Sequence, residues 1–179
     1  MSVFGGRKHS AVLIPLFCDP ARRLHAVFTK RREDLSRHAG EISFPGGRRD
    51  PGESLLETAL REAHEEVGLP PGEVEVVGAV APVGTVVTDY AIYPFVGLIE
   101  HGFEWVREEA EVAEVLEFAL EDLVAGHSFK RLIRRGVAVR TDVYEVGGHM
   151  VWGATSRILT DLLNRLEVGP RRAWRLEPE

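Results

Sequence analysis

Cysteine occurs once in the 179-residue chain, at Cys18, so no disulfide can form within it. Glutamine is absent, asparagine is confined to Asn164, and lysine to Lys8, Lys30 and Lys130, so arginine carries nearly all the positive charge. Few thermolabile amides fit a thermophile, and a GC-rich genome gives the same bias. No apolar run approaches the roughly 20 residues needed to cross a bilayer. The polar, basic stretch 1–9 is followed by no signal-type apolar segment. The expectation is a cytoplasmic protein without a membrane partner. Cations are also in deficit: the net charge of -6 argues against broad nucleic-acid binding.

What is present is ordinary globular material. Hydrophobic residues make up 44% and charged residues 28%, enough for a core, and the length suits one domain over residues 1–179. Residues 11–17 and 24–29 read as two strands joined by a turn. Cys18, at the end of the first, reads as a small hydrophobe near the core. Residues 41–44 form a short extended piece, and 48–52 a loop. The clearest helix covers 53–67, where Leu56, Ala59, Leu60, Ala63 and Val67 form one apolar stripe, with Gly68 as its C-terminal stop. Residues 74–83, 91–99 and 137–146 read as strands, 112–118 as a strand or short helix, and 121–124 as helix. A last amphipathic helix covers 151–166, with Ile158, Leu159, Leu162, Leu163 and Leu166 inward. Trp152 reads as core, and residues 170–179 as a polar tail. Strands and helices mix without βαβ alternation, which favours a sandwich over a doubly wound sheet.

The acids are unevenly spread, and the first concentration carries chemistry. On a helix, Glu62, Glu65 and Glu66 fall within a sector of roughly 100° beside the apolar stripe. Each close pair costs about 0.2–0.5 kcal/mol as like-charge neighbours. A merely solvated face would more often carry Lys or Arg there. A hard divalent cation removes the repulsion, because Mg²⁺ prefers oxygen ligands. Gly46 and Gly47, just upstream, let the backbone approach a ligand closely.

Gly47, five residues, Glu53, seven residues, then Arg61-Glu62-Ala63-His64-Glu65-Glu66-Val67-Gly68-Leu69 resembles a complete Nudix box over 47–69. The resemblance implies an α/β fold, an α/β/α sandwich with a mixed sheet. It implies Mg²⁺, with Mn²⁺ as substitute, bound by Glu62, Glu65 and Glu66, and a structural pair of Glu53 and Arg61. Arg61 is read as turned away from the metal face. Glu65, Glu66 and Arg61 are the catalytic candidates, with Glu65 preferred as the base. Some members of the family take the base from a distant loop or strand, and Glu111 and Glu114 are the distal acids here.

The segment before the box narrows the substrate. Phe28-Thr29-Lys30-Arg31, Leu35, Arg37-His38 and Gly40-Glu41-Ile42-Ser43-Phe44-Pro45-Gly46-Gly47 resemble the coenzyme A diphosphatase branch of that family. Tyr93-Pro94-Phe95-Val96-Gly97, Glu111-Val112-Ala113-Glu114-Val115 and Val151-Trp152-Gly153-Ala154-Thr155 are similar to it too. Lys30, Arg31, Arg32, Arg37 and His38 form a basic cluster suited to the 3′-phosphate of coenzyme A, which makes Lys30, Arg31, Arg37, His38, Gly46 and Gly47 the substrate-binding candidates. The expected partner is a small nucleotide. The alternatives are a diphosphatase for ADP-ribose or a related nucleoside diphosphate, and a module that binds nucleotide without cleaving it. The sequence does not decide the oligomeric state, a homodimer included.

Overall fold

The computed structural model describes residues 8–34, 40–85, 89–134 and 137–169. Among these described residues, eleven strands and three α-helices follow in order: β1 (Lys8–Cys18), β2 (Leu24–Arg31), β3 (Ile42–Ser43), β4 (Gly46–Arg48), α1 (Leu55–Val67), β5 (Glu75–Ala79), β6 (Val83–Gly84), β7 (Tyr90–Leu98), β8 (Val112–Ala119), α2 (Leu120–Ala125), β9 (His127–Arg134), β10 (Val137–Val146), β11 (His149–Val151) and α3 (Gly153–Arg165).

The main sheet runs β3-β2-β1-β7-β5, with β4 on β1, β6 on β7 and β8 on β2. β1 and β7 are parallel and the other pairs antiparallel, so the sheet is mixed. The alternation of side chains along β1 assigns its two faces. Ala11 and Leu13 pack with Ala59, Ala63, Val67 and Leu69 under α1. Ile14 and Leu16 join Phe28, Phe44, Tyr144, Ile158, Leu159, Leu162 and Leu163 on the other face, where α2, α3 and the three-stranded sheet β11-β10-β9 lie. A helix on one face and helices on the other make the expected α/β/α sandwich with a mixed sheet. Among the described residues, no helix is long and apolar enough to cross a membrane.

Helix α1 is fixed at both ends. The Ser54 hydroxyl accepts from the Glu57 N–H, and the Glu57 carboxylate accepts from the Ser54 N–H. Such a reciprocal cap contributes about 1 kcal/mol. At the other end Gly68, at φ 73°, donates its N–H to the His64 carbonyl and stops the helix.

Several elements differ from the sequence expectation. Cys18 is exposed rather than near the core: it is the last residue of β1. Leu166 is exposed at 40%, since α3 stops at Arg165 and the stripe no longer faces the sheet. Trp152 is half-buried. Gly46, Gly47 and Arg48 form β4 against β1 instead of opening a loop. Residues 74–83 split into two strands, and β9, unassigned from sequence, pairs along β10.

Candidate active site

The site is assembled where β4 passes the last two turns of α1. Gly46 pairs opposite Val12 and Gly47 opposite Ala11. A Cβ on Gly46 would run into the Ala11 carbonyl and Val12; one on Gly47 would run into the Glu62 carboxylate. Close approach of backbone to backbone therefore requires glycine at 46, whereas at 47 a Cβ would displace the Glu62 carboxylate. The Gly46 N–H donates to Glu66 Oε2 at 3.0 Å, tying strand to helix.

Arg61 organises the other side. Its Nε donates to Glu53 Oε1 at 2.6 Å and its Nη2 to Glu53 Oε2 at 3.1 Å and to the Arg48 carbonyl at 3.2 Å. Glu53 also accepts from the Thr58 hydroxyl and the Asp50 N–H. The Arg61 guanidinium, chiefly, holds the Glu53 carboxyl down at about 2, with Thr58 and Asp50 adding to it. The expectation that Arg61 turns away from the acidic face is corrected here. Its Nη1 donates to Glu62 Oε1 at 3.0 Å and Glu65 Oε2 at 3.1 Å. Glu65 is its i,i+4 neighbour, and the planar fork has donors enough to serve Glu53 on one edge and both carboxylates on another.

The three box carboxylates differ in environment. Glu62 has a side chain only 17% exposed, whereas that of Glu65 is 58% exposed. Burial pushes the Glu66 carboxyl up to about 8, with Glu62 and Glu111 adding repulsion while the Gly46 N–H and Arg31 oppose it. Burial likewise raises the Glu62 carboxyl; Arg61 opposes this and Glu65 and Glu111 reinforce it. Glu111 is thus a fourth acid within electrostatic reach of two box residues. Its counterpart Glu114 pairs instead with Lys30, at 3.1 Å.

Four hydrogen bonds that the sequence did not signal deliver Glu111. The Val106 N–H donates to the Val67 carbonyl and the Glu108 N–H to the Glu66 carbonyl, which hangs the acidic loop on the end of α1. Arg107 Nη1 then donates to the Val112 and Ala113 carbonyls at 2.9 and 3.0 Å, at the start of β8.

The donor set suits a hard divalent cation in kind: carboxylate oxygens that repel one another beside a glycine backbone. Among the described residues, no three acidic or histidine side chains converge as a ready-made ligand group. In this structure the positive charge between Glu62 and Glu65 is that of Arg61.

The basic cluster is largely paired. Lys30 lies against Glu114, Arg31 Nη1 is 3.7 Å from Glu111 Oε2, and Arg32 is bonded to Asp34 at 2.6 and 2.8 Å. Arg37 and His38 lie outside the described residues.

The family model for the NUDIX domain matches residues 7–136. An uncharacterized Nudix hydrolase NudL of Photorhabdus laumondii is 38% identical over 164 residues, covering 90% of this chain and 86% of that one. The crystal structure of a Nudix hydrolase from M. smegmatis, RenU, is similar with a TM-score of 0.56 and 26% identity, over 66% of this chain and 74% of that one. A MutT/nudix family protein from Enterococcus faecalis has the same fold at a TM-score of 0.65 and 16% identity, over 93% of this chain and 64% of that one.

Proposed function

Because the chain belongs to the Nudix hydrolase family, whose members act on nucleoside diphosphate derivatives, we propose that it cleaves the diphosphate of coenzyme A or its derivatives, giving 3′,5′-ADP and 4′-phosphopantetheine. The observation that carries the substrate is the stretch 28–47, whose residues resemble the coenzyme A branch and run directly into the box. Glu62, Glu65 and Glu66, all retained, favour a catalyst over a non-cleaving module.

Glu62, Glu65 and Glu66 are the residues that would hold Mg²⁺ or Mn²⁺. When bound, such an ion offsets charge on the non-bridging phosphate oxygens and acidifies water. The chain's own residues do the rest. The Gly46 N–H keeps the Glu66 carboxyl aimed at the site. Arg61, anchored on Glu53, keeps Glu62 and Glu65 in register. Glu65, the more exposed of those two, is assigned to take the proton of the attacking water. Attack at phosphorus breaks the bridging P–O bond, and that oxygen leaves on the other phosphate.

A substrate panel tests the reading. With Mg²⁺ present, coenzyme A should exceed ADP-ribose in kcat/KM, with products identified by ion exchange and mass. Dephospho-coenzyme A should be poorer by about 1.5–3 kcal/mol if one charged hydrogen bond reads the 3′-phosphate. The second reading, an ADP-ribose-type substrate without a third phosphate, is favoured by the pairing of Lys30 and Arg32 with acids. A much higher kcat/KM for ADP-ribose would select it.

A further inference from the structure

Lys30 and Arg31 close β2 and Arg32 follows directly, yet the three are not equivalent. Lys30 Nζ is 3.1 Å from Glu114, and Arg32 is bonded both to Asp34 and to the Glu109 carbonyl. Arg31 is held more loosely. Its Nη1 stands 3.7 Å from Glu111 Oε2, beyond hydrogen-bond range. Its Nε is buried without a hydrogen-bond partner among the described residues. A buried N–H lacking an acceptor costs stability, so this placement needs a reason.

The backbone supplies the aim. The β2–β8 register slips between Lys30 and Arg31: Lys30 faces Glu114, Arg31 faces Val112, and Ala113 is left over as a bulge. A bulge redirects the neighbouring side chain. This one is clamped, because Arg107 bonds the carbonyls of both Val112 and Ala113. The Arg31 N–H is fixed to the Glu41 carbonyl and the Arg32 N–H to the Glu111 carbonyl, so Arg31 is pinned from both sides. The charge so delivered attracts Glu66 as well as Glu111.

A guanidinium short of acceptors, at the border of a carboxylate set, suits an incoming phosphate oxygen. We infer that Arg31 contacts the scissile diphosphate itself, not a distant 3′-phosphate, and that Arg107 is a positioning residue acting through the bulge. The inference rests on the reading of this site as a diphosphate hydrolase, but not on which nucleotide is cleaved.

The test compares wild type with Arg31→Gln, Arg31→Lys and Arg107→Met on coenzyme A, dephospho-coenzyme A and ADP-ribose. Arg31→Gln should lower kcat/KM about 10- to 100-fold, by the same factor on every substrate the wild type cleaves. Arg31→Lys should recover part of the loss. Arg107→Met should shift kcat/KM in the same direction by less, with a melting point close to wild type. Calorimetric binding of α,β-methylene-ADP, which is not cleaved, should weaken in Arg31→Gln even if the wild type cleaves none of the three. Loss confined to coenzyme A would assign Arg31 to the 3′-phosphate and overturn the inference. Unchanged binding of the methylene analogue would overturn it too. A wild type that prefers ADP-ribose would defeat the substrate assignment alone.

Discussion

The Gly46 N–H and the Glu66 carboxylate are 3.0 Å apart across twenty residues of chain, and this bond ties β4 to α1 at the acid face. It supports a carboxyl that burial drives up to about 8. The fold therefore prefers Glu66 neutral.

That preference gives a signed prediction for Glu66→Gln. The folded value lies above the ordinary 4.5, so the group's favourable contribution is full below about 4.5 and is lost as pH rises towards 8. Glutamine keeps an oxygen for the Gly46 N–H and never ionises. In EDTA the variant should out-melt wild type at pH 9, with the gap closing at pH 5. Turnover with Mg²⁺ should fall by more than about a hundredfold. Thermal melts and kcat measured on one preparation decide both; activity within a few fold of wild type would move the metal site elsewhere.

Mg²⁺ should stabilise the folded chain as well as enable turnover. A ligand that binds only the native state adds about 2.7 kcal/mol at a hundred times its Kd. Melting points in EDTA and in millimolar Mg²⁺ at pH 8 read this. Identical midpoints at a concentration that saturates activity would count against Glu62, Glu65 and Glu66 as its ligands.

The two adjacent glycines should fail differently. Alanine at 47 meets the end of a flexible side chain, Glu62, whereas alanine at 46 meets the backbone of Ala11 and Val12. Gly47→Ala should fold, lose activity and need more Mg²⁺ for half-maximal rate. Gly46→Ala should lose stability first, by about 1–3 kcal/mol as for overpacking. Circular dichroism melts beside a Mg²⁺ titration separate the outcomes, and equal stability loss in both would refute the contrast.

Glu53 shows the opposite pH behaviour. Its carboxyl is held at about 2, chiefly by Arg61, below the ordinary 4.5. The contribution is present above about 4.5 and is lost as pH falls towards 2. Glu53→Gln should thus lower the melting point at pH 7 and converge on wild type only at about pH 2 and below. A gap that persists unchanged into acid would rule out the Glu53–Arg61 pair as its source.

Helix α1 was legible because its stripe has a helical period and Gly68 marks the stop. The three acids were legible because spacing alone puts them on one face. The course of Arg61 was not, since helical geometry gives the direction of a Cβ and not where a long side chain ends. Strand β9 escaped because its Phe129 and Ile133 are exposed, at 61% and 79%, so it has no clean inward-facing alternation. Glu111 and Glu114 look alike in sequence. In the structure Glu114 pairs with Lys30 within β8, whereas Glu111, just before β8 begins, lies 3.7 Å from Arg31.

The loop from Trp105 to Glu111 is sewn to the carbonyls of Glu66 and Val67 through the Glu108 and Val106 amides. Those carbonyls belong to the last turn of α1, which also carries Glu65. Opening the loop and fraying that turn are thus one event. The Val106 and Glu108 amide protons should show one common protection factor against exchange with solvent, and a ligand that engages the acid face should raise both together.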